Sequence, residues 1–339
     1  MVSANGERSG LHRQGPPRPS APPRRRWLRR GAAIGAIGAA VAAILVFAVP
    51  RIADPGRAPA IQPGRFALPA TPDSYIGLYS DGVPKSYAGV RAFSMATGVK
   101  PNLVSYYSGW LEPFQASFAR SVARDGAVPL IQMDPDGVRI GAIASGRYDS
   151  YLSVFAEAVR AYHRPIVVGF GHEMNGYWYS WSYQHTPPAV FVAAWRHIVN
   201  LFRAEGAWNV TWMWTINVIH RPPRVQPPSP WWPGKSYVTW VGIDGYYYNS
   251  SSTFVSLFGP TIAAVRALTS DPILVSETAV APAAGQSAKI ADLFAGIRLY
   301  DLLGFVWFDS VHVADWRLRS PSAIAAFRRG AEAYHRSAR

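Results

Sequence analysis

Of the seven glutamates in the chain, two sit where a carboxylate needs a reason. Glu7, Glu112, Glu157, Glu205 and Glu332 fall in the N-terminal leader, on amphipathic stretches or at their ends, where solvation explains them. Glu173 and Glu277 instead follow the short apolar runs Ile166–Gly171 and Ile273–Ser276. Burying an ionised group there without a use or a partner is costly. Two carboxyls about 5–5.5 Å apart across a glycosidic bond can break it with retention of configuration, one giving a proton to the leaving oxygen and the other attacking the anomeric carbon. Aromatic residues crowd the same regions: Trp110, Tyr177, Trp178, Trp181, Trp231, Trp232, Tyr246, Tyr247, Tyr248 and Trp307. Their flat faces suit sugar rings, although each one alone reads equally well as packing. Asp81, Asp134, Asp244 and Asp309 also lie in or just after apolar runs; of these Asp81, Asp134 and Asp309 read first as turn or helix-capping residues. His172 either orients the neighbouring acid or touches substrate.

Competing chemistries lack their residues. A zinc-protease reading of His172-Glu173 needs a second histidine where Gly176 stands, and the dinucleotide-like Gly169-Phe170-Gly171 meets Met174 at its third glycine position. No Gly-x-Ser-x-Gly elbow occurs. The absence of cysteine excludes thiolate chemistry, Cys-ligated metal and a disulfide framework. No metal and no cofactor are expected.

Eight short apolar or β-branched runs alternate with amphipathic stretches after residue 65, which predicts the elements that position these acids. The strands are expected at Tyr75–Tyr79, Leu103–Tyr107, Val128–Met133, Ile166–Gly171, Val210–Thr215, Trp240–Tyr246, Ile273–Ser276 and Phe305–Phe308. Helices are expected near Ser86–Thr97, Pro113–Arg124, Tyr148–His163, Pro188–Ala204, Phe254–Leu268, Gln286–Leu302 and Pro321–His335, and the proline-rich Arg221–Gly234 as a loop. Eight β/α units in one domain of this length predict a (β/α)8 TIM barrel, whose chemistry lies at the C-terminal strand ends. A doubly wound sheet fits less well, because the first strand runs into Tyr79-Ser80-Asp81-Gly82 rather than a phosphate-binding glycine turn. Strands four and seven lie across the ring, so Glu173 and Glu277 face each other over its axis.

Charge is distributed unevenly. The formal net charge is +14, yet residues 1–65 hold 11 arginines, no lysine and only Glu7 and Asp54 as acids. The remainder is mildly basic and carries no basic footprint for nucleic acid. The leader reads as a basic arm at 1–30, an apolar segment at 31–49 and a linker at 50–65, with the catalytic domain at 66–339. The apolar segment, Gly31 to Val49, would span about 28 Å as a helix against a hydrocarbon core of about 30 Å. Arg24-Arg25-Arg26-Trp27-Leu28-Arg29-Arg30 precedes it, which predicts a cytoplasmic N-terminus and an extracytoplasmic domain. The segment reads either as a transmembrane anchor or as a twin-arginine-like export signal, whose one neat cleavage site, Ala58-Pro59-Ala60, lies far downstream.

With these residues in view, Gly171-His172-Glu173-Met174-Asn175-Gly176-Tyr177-Trp178-Tyr179-Ser180-Trp181 resembles the acid/base motif of glycoside hydrolase family 26, the β-mannanase family of retaining barrels. The likeness continues through Trp232 to Tyr246, Val275-Ser276-Glu277-Thr278, Phe305 to Asp309 and Asp315-Trp316-Arg317. It implies Glu173 as general acid/base and Glu277 as nucleophile. By the same resemblance His172, Trp178, Tyr246 and Trp307 would line the subsite at the cleavage point, with Tyr246 hydrogen-bonding the nucleophile and Asp244 supporting from strand six; Asn175, Asp244 and Trp110 are also expected to bind substrate. Thr239 and Ala279 depart from the family, which commonly has aspartate and glycine there; substrate preference and loop geometry are what they touch. The resemblance implies hydrolysis of a β-linked polysaccharide, β-1,4-mannan first, with mixed-linkage β-glucan or β-1,3-xylan as alternatives in the same family. A catalytically silent polysaccharide-binding barrel is the alternative of another class. The expected partners are the polysaccharide and, through the leader, the membrane; a monomer is expected.

Overall fold

The computed structural model describes residues 66–219 and 224–337. Eight parallel strands close into a barrel in sequence order: β1 (Tyr75–Ser80), β2 (Leu103–Gly109), β3 (Val128–Asp134), β4 (Ile166–Phe170), β5 (Val210–Asn217), β6 (Trp240–Asp244), β7 (Ile273–Thr278) and β8 (Gly304–Asp309). The expected (β/α)8 TIM barrel is therefore the observed fold. Around it run α1 (Ala88–Thr97), α2 (Ala116–Arg124), α3 (Ile140–Ala144), α4 (Asp149–Tyr162), α5 (Pro188–Ala204), α6 (Phe254–Arg266), α7 (Gln286–Leu299) and α8 (Pro321–Ser337). The short α3 was not expected, and the proline-rich loop contains a 3-10 turn at Ser229–Trp231. Among the described residues no helix is long and apolar enough to cross a membrane. The expected arm, apolar segment and linker at 1–65 lie outside those residues.

Period-two alternation sorts each strand into an outer face under the helices and an inner face toward the axis. Inside, Tyr75, Leu103, Leu130, Val167, Met213, Trp240, Leu274 and Val306 form an apolar floor with one residue from every strand. One step up, the layer turns small and polar: Gln132 Nε2 donates to Thr215 Oγ1 at 2.9 Å. A Cβ on Gly242 would lie 2.5 Å from Ser276 Oγ, so glycine there leaves the polar side chains their room. One step further, at the strand ends, the same parity brings Tyr79, Tyr107, Asp134, Asn217 and Asp244 to the mouth. Burial thus drives the lower half, and the upper half is left to polar groups.

The outer face holds the main core, in which Phe170, Trp212, Phe305 and Trp307 pack with helix residues such as Phe191, Trp195, Phe294 and Phe327. Two register shifts interrupt the ladders, between Gly242 and Asp244 against β7 and between Val275 and Thr278 against β8. A bulge re-aims side chains. Here it leaves Ser276 Oγ donating to Asp244 on the inner face while the next residue, Glu277, also reaches across the mouth.

Candidate active site

The segment after β4 is bent hard to present Glu173. Gly171 and Glu173 both adopt left-handed backbone, at φ 54° and 55°. At Gly171 a Cβ would lie 2.9 Å from Phe191; at Glu173 the conformation is strained for a residue with a side chain. Neighbours hold the strain: Glu173 N–H donates to Thr215 O at 3.0 Å, and Trp181 Nε1 donates to His172 O at 2.8 Å. Both carboxyl oxygens are engaged. Asn217 Nδ2 donates to Oε1 at 2.6 Å, and Trp178 Nε1 donates to Oε2 at 2.7 Å.

Glu277 is gripped from two other walls. Tyr107 at the end of β2 donates its hydroxyl to Oε2, and Tyr246 just past β6 donates to Oε1. Burial pushes the Glu277 carboxyl up to about 8; the two phenolic donors favour its ionised form and work the other way. Asp244 pairs with Glu277 across β6 and β7 and accepts from Ser276 Oγ at 2.6 Å. Burial first, and the Glu173 charge second, hold the Asp244 carboxyl well above the usual range. That environment favours a neutral acid between the two glutamates.

His172 is buried beside Glu173, with Nδ1 2.9 Å from Asp134 Oδ1 and Nε2 3.1 Å from the Tyr179 hydroxyl. Burial works against its charged form, but the Asp134 carboxylate outweighs it and the imidazole is raised to about 9. Tyr179 in turn stacks on Trp181, with ring centroids 4.3 Å apart. The rim adds half-exposed Tyr177, Trp178 and Tyr246 and exposed Tyr248. Trp316 packs on Tyr246 at 4.5 Å and edge-on to Tyr248 at 5.2 Å.

The structure thus brings Glu173, Glu277, His172, Trp178, Asp244 and Tyr246 together. It places three other expected substrate-binding residues elsewhere. Trp307 is fully buried on the outer face of β8 against Phe327 of α8, at 5.7 Å; the neighbouring Phe308 takes the inner face, stacked on Tyr79 at 4.6 Å and edge-on to Tyr246 at 6.0 Å. Trp110 packs among Tyr148, Tyr151 and Phe170, outside the barrel wall. Asn175 is fully buried and its amide is spent on backbone: Nδ2 donates to Asn217 O at 2.9 Å and Gln226 O at 3.2 Å, and Oδ1 accepts from Asn217 N–H at 2.8 Å. It braces the strand end that carries Asn217 rather than facing the cleft. Trp231 and Trp232 likewise pack, against Tyr183 and Trp214.

Four residues at the site were missed from the sequence: Tyr107, Asn217, Tyr179 and Trp316. Tyr107 and Asn217 carry a usable signal, because each continues the inner parity of its strand by two residues, from Ser105 and from Thr215. Among the described residues no group of His, Asp or Glu side chains is arranged to hold a metal ion.

The family model described as Glycosyl hydrolase family 26 matches residues 145–316. Endoglucanase H of Acetivibrio thermocellus is 29% identical over 267 residues, which is 73% of this chain and 29% of that protein. Beta-1,3-xylanase TXYA of a Vibrio species is 23% identical over 166 residues, 45% of this chain and 35% of that protein. The chain therefore spans only about a third of the length of these curated relatives. Among solved structures, a modular endo-beta-1,4-mannanase from Cellulomonas fimi superposes with a TM-score of 0.62 at 16% identity, covering 76% of this chain and 70% of that one.

Proposed function

This chain belongs to glycosyl hydrolase family 26, and on that premise we propose that it cleaves a β-linked polysaccharide with retention, by double displacement between Glu173 and Glu277. The observation that carries it is the pairing of two differently dressed carboxyls at one mouth. Glu277, held by two phenols, attacks the anomeric carbon with one oxygen while the bond to the leaving oxygen breaks and Glu173 gives that oxygen its proton. Glu173 then takes a proton from water as the water displaces Glu277. A carboxyl oxygen has lone pairs enough to accept from Asn217 or Trp178 in either protonation state, so the same two donors can steer Glu173 as acid and as base.

β-1,4-Mannan is the first substrate on the motif's resemblance. A β-glucan is the second, with mixed-linkage β-glucan the form expected from the motif, and similarity to a protein named Endoglucanase H supports a glucan in general. Reducing-end release on mannan, mixed-linkage glucan and β-1,3-xylan, with Glu173→Gln as control, tests both. Release on none by the wild type overturns the reading. From the sequence of residues 1–65 we further propose that the barrel works outside the cytoplasm, tethered by the apolar segment or released after its cleavage.

A further inference from the structure

We infer that Tyr107 is a positioning residue for the nucleophile, its phenol fixing one oxygen of Glu277 while Tyr246 fixes the other. The inference rests on Glu277 being the nucleophile. Its geometry is independent of any substrate: the Tyr107 hydroxyl comes from β2 and that of Tyr246 from the far side of the mouth, past β6, so the carboxyl plane is pinned between opposite walls. The phenol is itself held. Its ring lies edge-on to Tyr79 at 5.3 Å and tilted against His172 at 5.3 Å, and Tyr79 is stacked in turn on Phe308.

Oε2 of Glu277 accepts from Tyr107 and from no other group among the described residues. Glu277 is half-buried, and a carboxylate oxygen turned into the wall without a donor loses hydration and receives little in return. One phenol alone would leave that oxygen bare, weakening the anion that must attack. During attack one oxygen becomes the ester oxygen and its phenol loosens. The phenol on the other oxygen stays on the new carbonyl and is in place when water returns the negative charge. Tyr107 also ties the nucleophile's wall to the one behind Glu173, through its contact with His172.

The test reads Glu277 directly. In the full-length chain with 13C-labelled glutamate, only seven side-chain carboxyl carbons are present, and Glu277→Gln identifies the one that matters. Tyr107→Phe keeps the ring and removes the donor. The expected result is an upward shift of the Glu277 titration by about one pH unit, the size of a hydrogen bond to a charged group. A fluorinated tyrosine at position 107, a stronger donor of similar size, shifts it downward, and decides the matter should the phenylalanine variant fail to fold. With an active substrate, the acid limb of kcat/KM moves up with the titration in Tyr107→Phe, while the alkaline plateau falls less than threefold. An unmoved titration in either variant overturns the inference. Because the titration needs no substrate, it is decided even if the wild type releases no sugar, an outcome that would instead remove the functional reading.

Discussion

The Trp178 indole reaches back to Glu173, with Nε1 2.7 Å from Oε2, across a turn that only glycine at 176 allows. A Cβ on Gly176 would lie 2.5 Å from the Trp178 ring. Gly176→Ala therefore displaces a rigid indole rather than a flexible tip. We expect kcat/KM on polysaccharide to fall by about tenfold to a hundredfold, the range of a lost charge-assisted contact in a reacting group's proton transfer. Kinetics on an aryl glycoside with a good leaving group provide the check. They need little help from the acid, so the loss in the first step is expected to shrink there.

Glu277 makes folding sensitive to alkali. Its folded value of about 8 lies above the usual 4.5 of a glutamate, so the folded protein binds more protons than the unfolded chain between those values, and stability falls as pH rises through that window. Glu277→Gln removes the penalty. Thermal melts are expected to show the variant several degrees above wild type at pH 9, with the difference largely gone near pH 4.

The His172 pair behaves differently from the acid. With the imidazole raised from 6.5 to about 9 by Asp134, after burial is overcome, its contribution is fully present below about pH 6.5 and is lost as pH climbs through 9. Asp134→Asn should therefore lower the melting temperature most at pH 6, with the gap closing by pH 10. A gap of constant size would mean that the pair is not a charged one.

Two tryptophans near the end of the barrel separate packing from binding. Trp307→Ala empties a buried site under α8 and is expected to cost about 3–5 kcal/mol of stability, measured by denaturant unfolding, with KM unchanged for the folded fraction. Trp316→Ala removes the wall on which Tyr246 rests, at 4.5 Å, and is expected to change KM and kcat together.

The barrel was legible because its strands are buried on both faces and its helices are amphipathic, so the two periods alternate cleanly along the chain. All eight strands stand where the apolar runs predict them. What the runs hide is the face each residue takes. In Phe305-Val306-Trp307-Phe308 no polar residue marks the parity; the strand runs in unbroken register with β1, so Val306 and Phe308 take the inner face and Trp307 faces α8. A one-residue difference reverses every side chain. Strand ends were hidden for a related reason. β5 runs to Asn217 rather than Thr215, because the polar residue that looks like the start of a loop is the one delivered to Glu173. Asn175 misled in the opposite sense: a polar residue in a motif looks like a ligand, and only burial shows that its amide is consumed by backbone. Glu173 and Glu277 stood out because they alone among the seven glutamates follow apolar runs.

Double displacement requires Glu277 to form a covalent bond to the sugar. Incubation with a 2-deoxy-2-fluoro β-glycoside carrying an activated leaving group, followed by mass measurement of the intact protein and its peptides, tests this most directly. The expected result is one sugar per chain, on Glu277, and no adduct in Glu277→Gln. Turnover of polysaccharide by a wild-type enzyme that never accumulates an adduct, or an adduct on another residue, would contradict it.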